Sequence, residues 1–369
     1  MTDAKQARLA ERVRAFDSSG IRKVFDLAQQ LEAPINLSIG QPDFDVPNPV
    51  KAEAKHWLDA GFNKYTLTQG IPELRDRVRA KYETQGIQVG DVVITSGVSG
   101  GIMLALLALL NPGDEALVPD PYFVMYKHLT NLIGGVARFV DTYPDFTLTA
   151  EAVEAAVTPR TRVLFVNTPA NPTGVTLDEP AARAIAAVAE RHNLVIVFDE
   201  IYEHFHYDSA PVSLARYWPK TLILNGLSKS HAMTGWRLGW AAGPAEIIRE
   251  MIKVQQFSFV CAPSFAQKAA LTALDAPLDE AREAYRRKRD LVYEGLKRRF
   301  NLVRPSGAFY VFPEAPGGDG AAFAELAVRN NVLVVPGNVF SERNTHFRIA
   351  FAAPDETLRQ GVAVLNSLA

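Results

Sequence analysis

The sequence predicts an α/β fold: a large domain with a mostly parallel sheet flanked by helices, plus a smaller α+β domain. Three observations carry this. Short apolar runs alternate with helix-prone stretches, the pattern of strands joined by helical crossovers. The polar residues that stand out each follow the carboxyl end of an apolar run, where open α/β sheets bind ligands. After about residue 270 the alternation gives way to a long charged helix and short strands.

In order along the chain, residues 5 to 32 are charged and helix-prone, with Ser18-Ser19-Gly20 as a break and Phe16, Ile21, Val24, Phe25 and Leu27 as apolar anchors. They form either an arm that packs on a partner subunit or a surface helix of their own domain. Ile35 to Ile39 reads as a short strand ending in the turn Gly40-Gln41-Pro42, where backbone can approach a ligand closely. Pro72-Glu73-Leu74-Arg75 opens an amphipathic helix with proline at its first position. Val92-Val93-Ile94-Thr95 is a buried strand, and Ser96 to Gly101 is a small-residue turn. Ile102 to Leu110 continues as a helix, stopped by Asn111-Pro112-Gly113. Glu115 to Pro119 is the next strand and is followed by Tyr122-Phe123; Arg162 to Asn167 is another, closed by a turn through Asn171-Pro172. A helix over Glu179 to His192 leads to the strand Leu194 to Asp199, and Thr221 to Leu224 is a further strand. Beyond it, residues 278 to 300 read as a charged helix and Val303 to Phe312 as a strand pair with a turn. Val332 to Val335 and Phe347 to Phe351 are short strands. The boundaries expected are 1–40 for an N-terminal segment shared between the small domain and a dimer arm, 41–270 for the large domain and 271–369 for the small one.

Composition narrows the function. The chain has 369 residues, 48% of them apolar and 22% charged, an ordinary globular balance. Its net charge of −2 gives no reason to expect nucleic acid or an anionic membrane as partner. The longest apolar run, Ile102 to Leu110, is too short to span a bilayer, and the N-terminus lacks the apolar core of a secretion signal. One cysteine, Cys261, excludes an internal disulfide and fits a cytoplasmic location; its apolar surroundings predict a packed core residue.

The richest stretch is Asn225 to Trp240. Lys229 sits between two serines just past a buried strand, and Arg237 follows amid glycines and tryptophans. Desolvation there lowers a lysine's pKa and frees a nucleophilic amine for Schiff-base chemistry with an aldehyde. Arg237 offers a donor fork suited to phosphate. An aldehyde and a phosphate together describe pyridoxal 5'-phosphate (PLP). Other candidates fall on separate strand ends. The turn through Val98 and Ser99 opens a helix whose free N–H groups suit an anion. Phe123 can stack on a flat ring, or pack in the core. Asp199 ends an apolar strand, where a carboxylate needs a partner, and Arg348 can clamp a carboxylate with two bonds. Tyr65 lies in a polar loop. A rival reading uses Gly97-x-Ser99-x-Gly101, which matches the nucleophile elbow of a serine hydrolase in the strand–turn–helix setting that motif requires. It leaves Lys229, Arg237 and Arg348 without a role and names no histidine partner.

Gly226-x-Ser228-Lys229 followed by Gly235-x-Arg237-x-Gly239 resembles the PLP-attachment motif of class I/II aminotransferases. Nearly the whole chain is similar to fold-type-I, class I enzymes of the prokaryotic aspartate and aromatic aminotransferase branch. The resemblance implies that Lys229 carries the Schiff base and then shuttles the proton. It implies that Asp199 pairs with the pyridine nitrogen, that Asn171 and Tyr202 bond the ring oxygen, and that Phe123 stacks on the ring. Val98, Ser99, Ser228 and Arg237 would hold the phosphate, and Tyr65 would reach the phosphate of a neighbouring subunit in a homodimer. Arg348 would grip the substrate α-carboxylate, helped by Asn171 and the Gly40 backbone. The implied reaction is ping-pong transfer from an L-amino acid, of aspartate or aromatic type, to a 2-oxo acid such as 2-oxoglutarate. A same-fold PLP lyase or ring-closing enzyme would share the core residues. Gln41 and Ala170 depart from the family's commoner residues, and neither has a catalytic role in it.

Overall fold

The computed structural model describes residues 9–14, 20 and 31–369; the arm or surface helix expected over residues 5 to 32 lies largely outside them. A single helical turn over Glu11–Arg14 precedes strand β1 (Ile35–Asn36); helices α1 (Asn48–Asp59) and α2 (Pro72–Thr84) follow, the latter with proline in its first turn as expected. The alternation that follows runs β2 (Asp91–Thr95), α3 (Gly97–Leu109), β3 (Glu115–Asp120), α4 (Val124–Leu132), β4 (Val136–Asp141), α5 (Ala150–Ala156) and β5 (Thr161–Asn167). It continues with α6 (Glu179–Arg191), β6 (Val195–Asp199), β7 (Thr221–Gly226), β8 (Gly239–Gly243), α7 (Ala245–Gln256) and α8 (Ser264–Ala273).

These strands form one seven-stranded sheet in the order β2-β8-β7-β6-β5-β3-β4. Every pairing is parallel except the two made by β8. The sheet is buried on both faces, and successive residues of a strand serve opposite sides. In β6, Ile196 and Phe198 join one core while Val197 joins the other, and in β7 Ile223 is flanked by Leu222 and Leu224 in the same way. Burial on both faces explains why the inner strands read as unbroken apolar runs. Two strands escaped the sequence reading. β4 is an edge strand with an exposed, polar-alternating face, and β8 is masked by its glycines and alanines.

The remainder comprises α9 (Asp279–Leu296), β9 (Tyr310–Val311), α10 (Gly320–Arg329), β10 (Val332–Leu333), β11 (Val335–Pro336), β12 (Phe347–Ala350) and α11 (Asp355–Leu368). β1 pairs with β10, and β11, β12 and β9 form a separate antiparallel sheet. Three expectations need correction here. Residues 303 to 312 are not a hairpin: only Tyr310–Val311 is strand, because the N–H groups of Ser306 and Gly307 bond Gly174 O at 2.9 and 2.8 Å. The run 332–335 is split between two sheets rather than forming one strand. Cys261 is half-buried, not a core residue. Among the described residues, no helix is long and apolar enough to cross a membrane.

Candidate active site

A cavity of about 590 Å³ opens at the carboxyl ends of β5, β6 and β7, where they face β12. Gly40, Val98, Ser99, Phe123, Asn171, Asp199, Tyr202, Ser228, Lys229, Arg237 and Arg348 all line it. Tyr65 does not; its side chain stands 84% exposed on the surface. The lysine loop is held open by backbone geometry. Ala232 and Arg237 both adopt left-handed conformations, at φ 56° and 53°, a strain characteristic of functional loops. β8 then turns the chain back along β7, so Lys229 and Arg237 sit on one connection between paired strands.

Lys229 is half-buried, and its Nζ donates to Gly40 O at 2.6 Å. Burial, followed by the Arg348 guanidinium, lowers its pKa to about 8, against the pull of Asp199. About a tenth of the amine is therefore neutral at pH 7, far more than for an ordinary lysine. Asp199 is buried too, and burial raises its pKa to about 6. Its bonded partners are neutral donors: Tyr126 hydroxyl to Oδ2 at 2.7 Å and Ile201 N–H to Oδ1 at 3.1 Å. Asn167 fixes the surrounding backbone, donating to Asp199 O at 2.9 Å and accepting from Asn171 N at 2.8 Å.

Arg348 is fully buried on β12. Its Nη1 donates to Asn171 Oδ1 at 3.0 Å and its Nη2 to Ser38 O at 2.7 Å, while Nε has no partner. The guanidinium lies between the Tyr310 and Phe340 rings, 4.6 and 4.4 Å from their centroids. No carboxylate among the described residues pairs with it. A buried cation with an idle donor and no counter-ion is costly unless an anion arrives. Asn171 must present Oδ1 to the arginine, which has donors only, so its amide NH₂ is the side left for another acceptor.

At the opposite end of the cavity Arg237 donates to Thr234 O at 3.0 Å and stays exposed. α3 begins at Gly97, earlier than expected, so the small-residue turn is itself the first helical turn. Gly97 has φ 68°, and a Cβ there would lie 2.7 Å from Arg237 Nη2. The helix start and the arginine thus close on a space shaped for an anion. Ser99 faces this space, and no histidine is among the residues lining the cavity. The hydrolase reading therefore lacks its base. A half-buried amine, a buried carboxylate, a flat aromatic and an anion cradle fit the donor set that PLP requires. Among the described residues, no cluster suits a metal.

Two residues that sequence reasoning missed are Tyr126 and Tyr310. Tyr126 lies three residues beyond Phe123, which caps α4, and the two rings meet edge to face at 5.7 Å, so that spacing was a usable signal. Tyr310 left none, because its strand was read as half of a hairpin.

The profile of the family described as "Aminotransferase class I and II" matches residues 32–365. The chain belongs to that family and is a transaminase, as the resemblance implied. It is 36% identical to a probable aspartate aminotransferase of Methanocaldococcus jannaschii, over 98% of this chain and 99% of that protein. It is 38% identical to aromatic-amino-acid aminotransferase 2 of Thermococcus litoralis, over 96% of each. The solved aspartate aminotransferase of Thermus thermophilus with maleate superposes with a TM-score of 0.94 at 38% identity, covering 98% of this chain and 99% of that one.

Proposed function

We propose that the chain transfers the amino group of an L-amino acid of aspartate or aromatic type to a 2-oxo acid, with 2-oxoglutarate as acceptor, in a ping-pong cycle using PLP. The observation that carries this reading is the pair of cations at one cavity, Lys229 half-buried and Arg348 fully buried. Lys229 has a lowered pKa, and Arg348 has no counter-ion. An amine-reactive aldehyde answers the first and a substrate carboxylate the second. When bound, PLP supplies that aldehyde and a pyridinium ring that takes up the electron pair left as the Cα proton departs.

The chain's own groups do the rest. Lys229 would hold the cofactor's aldehyde carbon until the substrate amine replaces it, and its freed amine would then move the proton from the substrate Cα to that carbon. Gly40 O, which accepts from Nζ, holds the amine between those steps. Asp199 keeps the ring nitrogen protonated. Tyr202 and the Asn171 amide donate to the ring oxygen, and Phe123 covers the ring. Val98 and Ser99 N–H, Ser228 and Arg237 bind the phosphate, and Tyr65 serves the partner's phosphate in a homodimer. Arg348 binds the α-carboxylate beside the Gly40 backbone. The same reading divides the chain at 1–40, 41–270 and 271–369, supported by the pairing of β1 with β10. It places the protein in the cytoplasm.

The test begins with borohydride reduction of the PLP-loaded protein and peptide mass analysis, which should place the cofactor on Lys229. Amino donors are then screened with 2-oxoglutarate, with glutamate and the new 2-oxo acid measured together. Equal amounts of the two support transamination. Ammonia without glutamate would mean a lyase, and a fluorophosphonate label on Ser99 with no bound cofactor would mean a hydrolase.

A further inference from the structure

Tyr310 joins three parts of the cavity that come from distant stretches of sequence. It is fully buried on β9, where Ala350 stands opposite it in the register with β12. Arg348 is two residues from Ala350 and so lies diagonally across from Tyr310 on the same face. The Tyr310 ring covers one side of the guanidinium, 4.6 Å from centroid to Cζ. Its hydroxyl is 2.8 Å from the Tyr202 hydroxyl, and the two rings meet edge to face at 5.6 Å and 86°. A Cβ on Gly40 would collide with the same hydroxyl.

Tyr202 has one proton and needs it for an acceptor in the cavity. If it donated to Tyr310, no proton would face the cofactor. If Tyr310 donates instead, Tyr202 becomes the middle of a chain of hydroxyls that points its proton inward, and each bond polarises the next. Nothing else bonded to the Tyr310 hydroxyl competes for its proton among the described residues. Resting on the PLP reading above, we propose that Tyr310 is a positioning residue. Its hydroxyl donates to Tyr202 and aims the Tyr202 proton at the cofactor's ring oxygen, while its ring face fixes Arg348 for the substrate carboxylate. One side chain thereby sets the spacing between the cofactor's oxygen and the α-carboxylate of the amino acid. Phe340, on the other side of the guanidinium, has no hydroxyl and contributes only to the second role.

The two roles separate experimentally. The readout for the first is the pH titration of the bound cofactor's absorbance, which needs no turnover. A weaker donor stabilises the anionic ring oxygen less, so Tyr310→Phe should raise the midpoint by about half a pH unit. In a Tyr202→Phe background the same change should add nothing further. Replacing Tyr310 by 3-fluorotyrosine, a stronger donor, should move the midpoint the other way. The second role is read as the affinity for an unreactive 2-methyl amino acid. Tyr310→Phe keeps the ring and should leave this affinity within about twofold, whereas Tyr310→Leu should weaken it about fivefold or more. A Tyr310→Phe midpoint equal to wild type, or a shift that persists undiminished without the Tyr202 hydroxyl, overturns the first role. Equal affinities in the phenylalanine and leucine variants overturn the second. A wild-type protein that binds no PLP would sink the functional reading instead, and borohydride trapping on Lys229 tells the two failures apart.

Discussion

Lys229 shows how a residue can be set against the stability of its own fold. In an unfolded chain its amine has an ordinary pKa near 10.5, and burial brings it to about 8 in the native state. Its contribution to stability is complete above the unfolded value and is lost as the pH falls through the native one. Below about pH 8 the desolvated ammonium costs on the order of 3 kcal/mol. Lys229→Met should therefore raise the melting temperature of the cofactor-free protein at pH 7, with the gain shrinking toward pH 10. A gain that ignores pH would mean that packing, not charge, is responsible. Asp199 makes the complementary case. Loss of a buried charge partner costs about 3–5 kcal/mol, or roughly a hundredfold to several thousandfold in rate if it falls on the transition state. Asp199→Ala should slow single-turnover conversion of the loaded enzyme by that factor while leaving PLP attached. A rate within a few-fold of wild type would reduce Asp199 to a structural carboxylate. Both residues were legible in the sequence because Asp199 ends a conspicuous apolar run and Lys229 follows shortly after another. The Tyr126 hydroxyl that holds Asp199 in place was not legible, because a neutral phenol on a helix carries no charge signal to read.

At the scale of elements, legibility followed burial. The central strands β5, β6 and β7 are covered on both faces, so their sequences are continuous apolar runs and their ends point straight to Asn171, Asp199 and Lys229. The edge strand β4 and the glycine-rich β8 have no such contrast. The small sheet was harder still, because strands of two to four residues take their pairing from partners far away in sequence. The start of α3 is an element whose geometry can be tested directly. Gly97 has φ 68°, and an added methyl would press on Arg237. Gly97→Ala should weaken PLP binding about tenfold through strain at the cradle, with little change in the far-ultraviolet spectrum. Unaltered affinity would mean that the phosphate is held elsewhere.

For the molecule as a whole, the surface carries its own message. Tyr65, Leu67, Phe257 and Phe259 are exposed by 84, 54, 89 and 41%. Gln255 ties the two stretches together, since its Nε2 donates to Ile94 O at 3.0 Å and also to Thr68 O. Grouped apolar side chains of this kind mark a face that another surface covers. In the homodimer proposed, Tyr65 serves the partner's cofactor. Mixing inactive Tyr65→Ala and Lys229→Ala proteins should then restore up to about a quarter of wild-type activity, because random exchange makes half the molecules hybrids with one intact site each. An active monomer in sedimentation, or no recovery after subunit exchange, would refute sharing.

The reversed strand β8 also bears on how the chain reaches this structure. β7 and β8 are close in sequence and pair directly, so the connection bearing Lys229 and Arg237 is shaped by a local encounter. β2, which carries the helix start opposite Arg237, pairs with β8 from far up the chain, Asp91 against Gly243. Contacts between near neighbours form sooner than those that must first close a long loop. A refolding chain should therefore shape its lysine loop before its anion cradle. In pulse-labelled hydrogen exchange, amides of β7 should gain protection ahead of those of β2, and added PLP should quicken only the later phase.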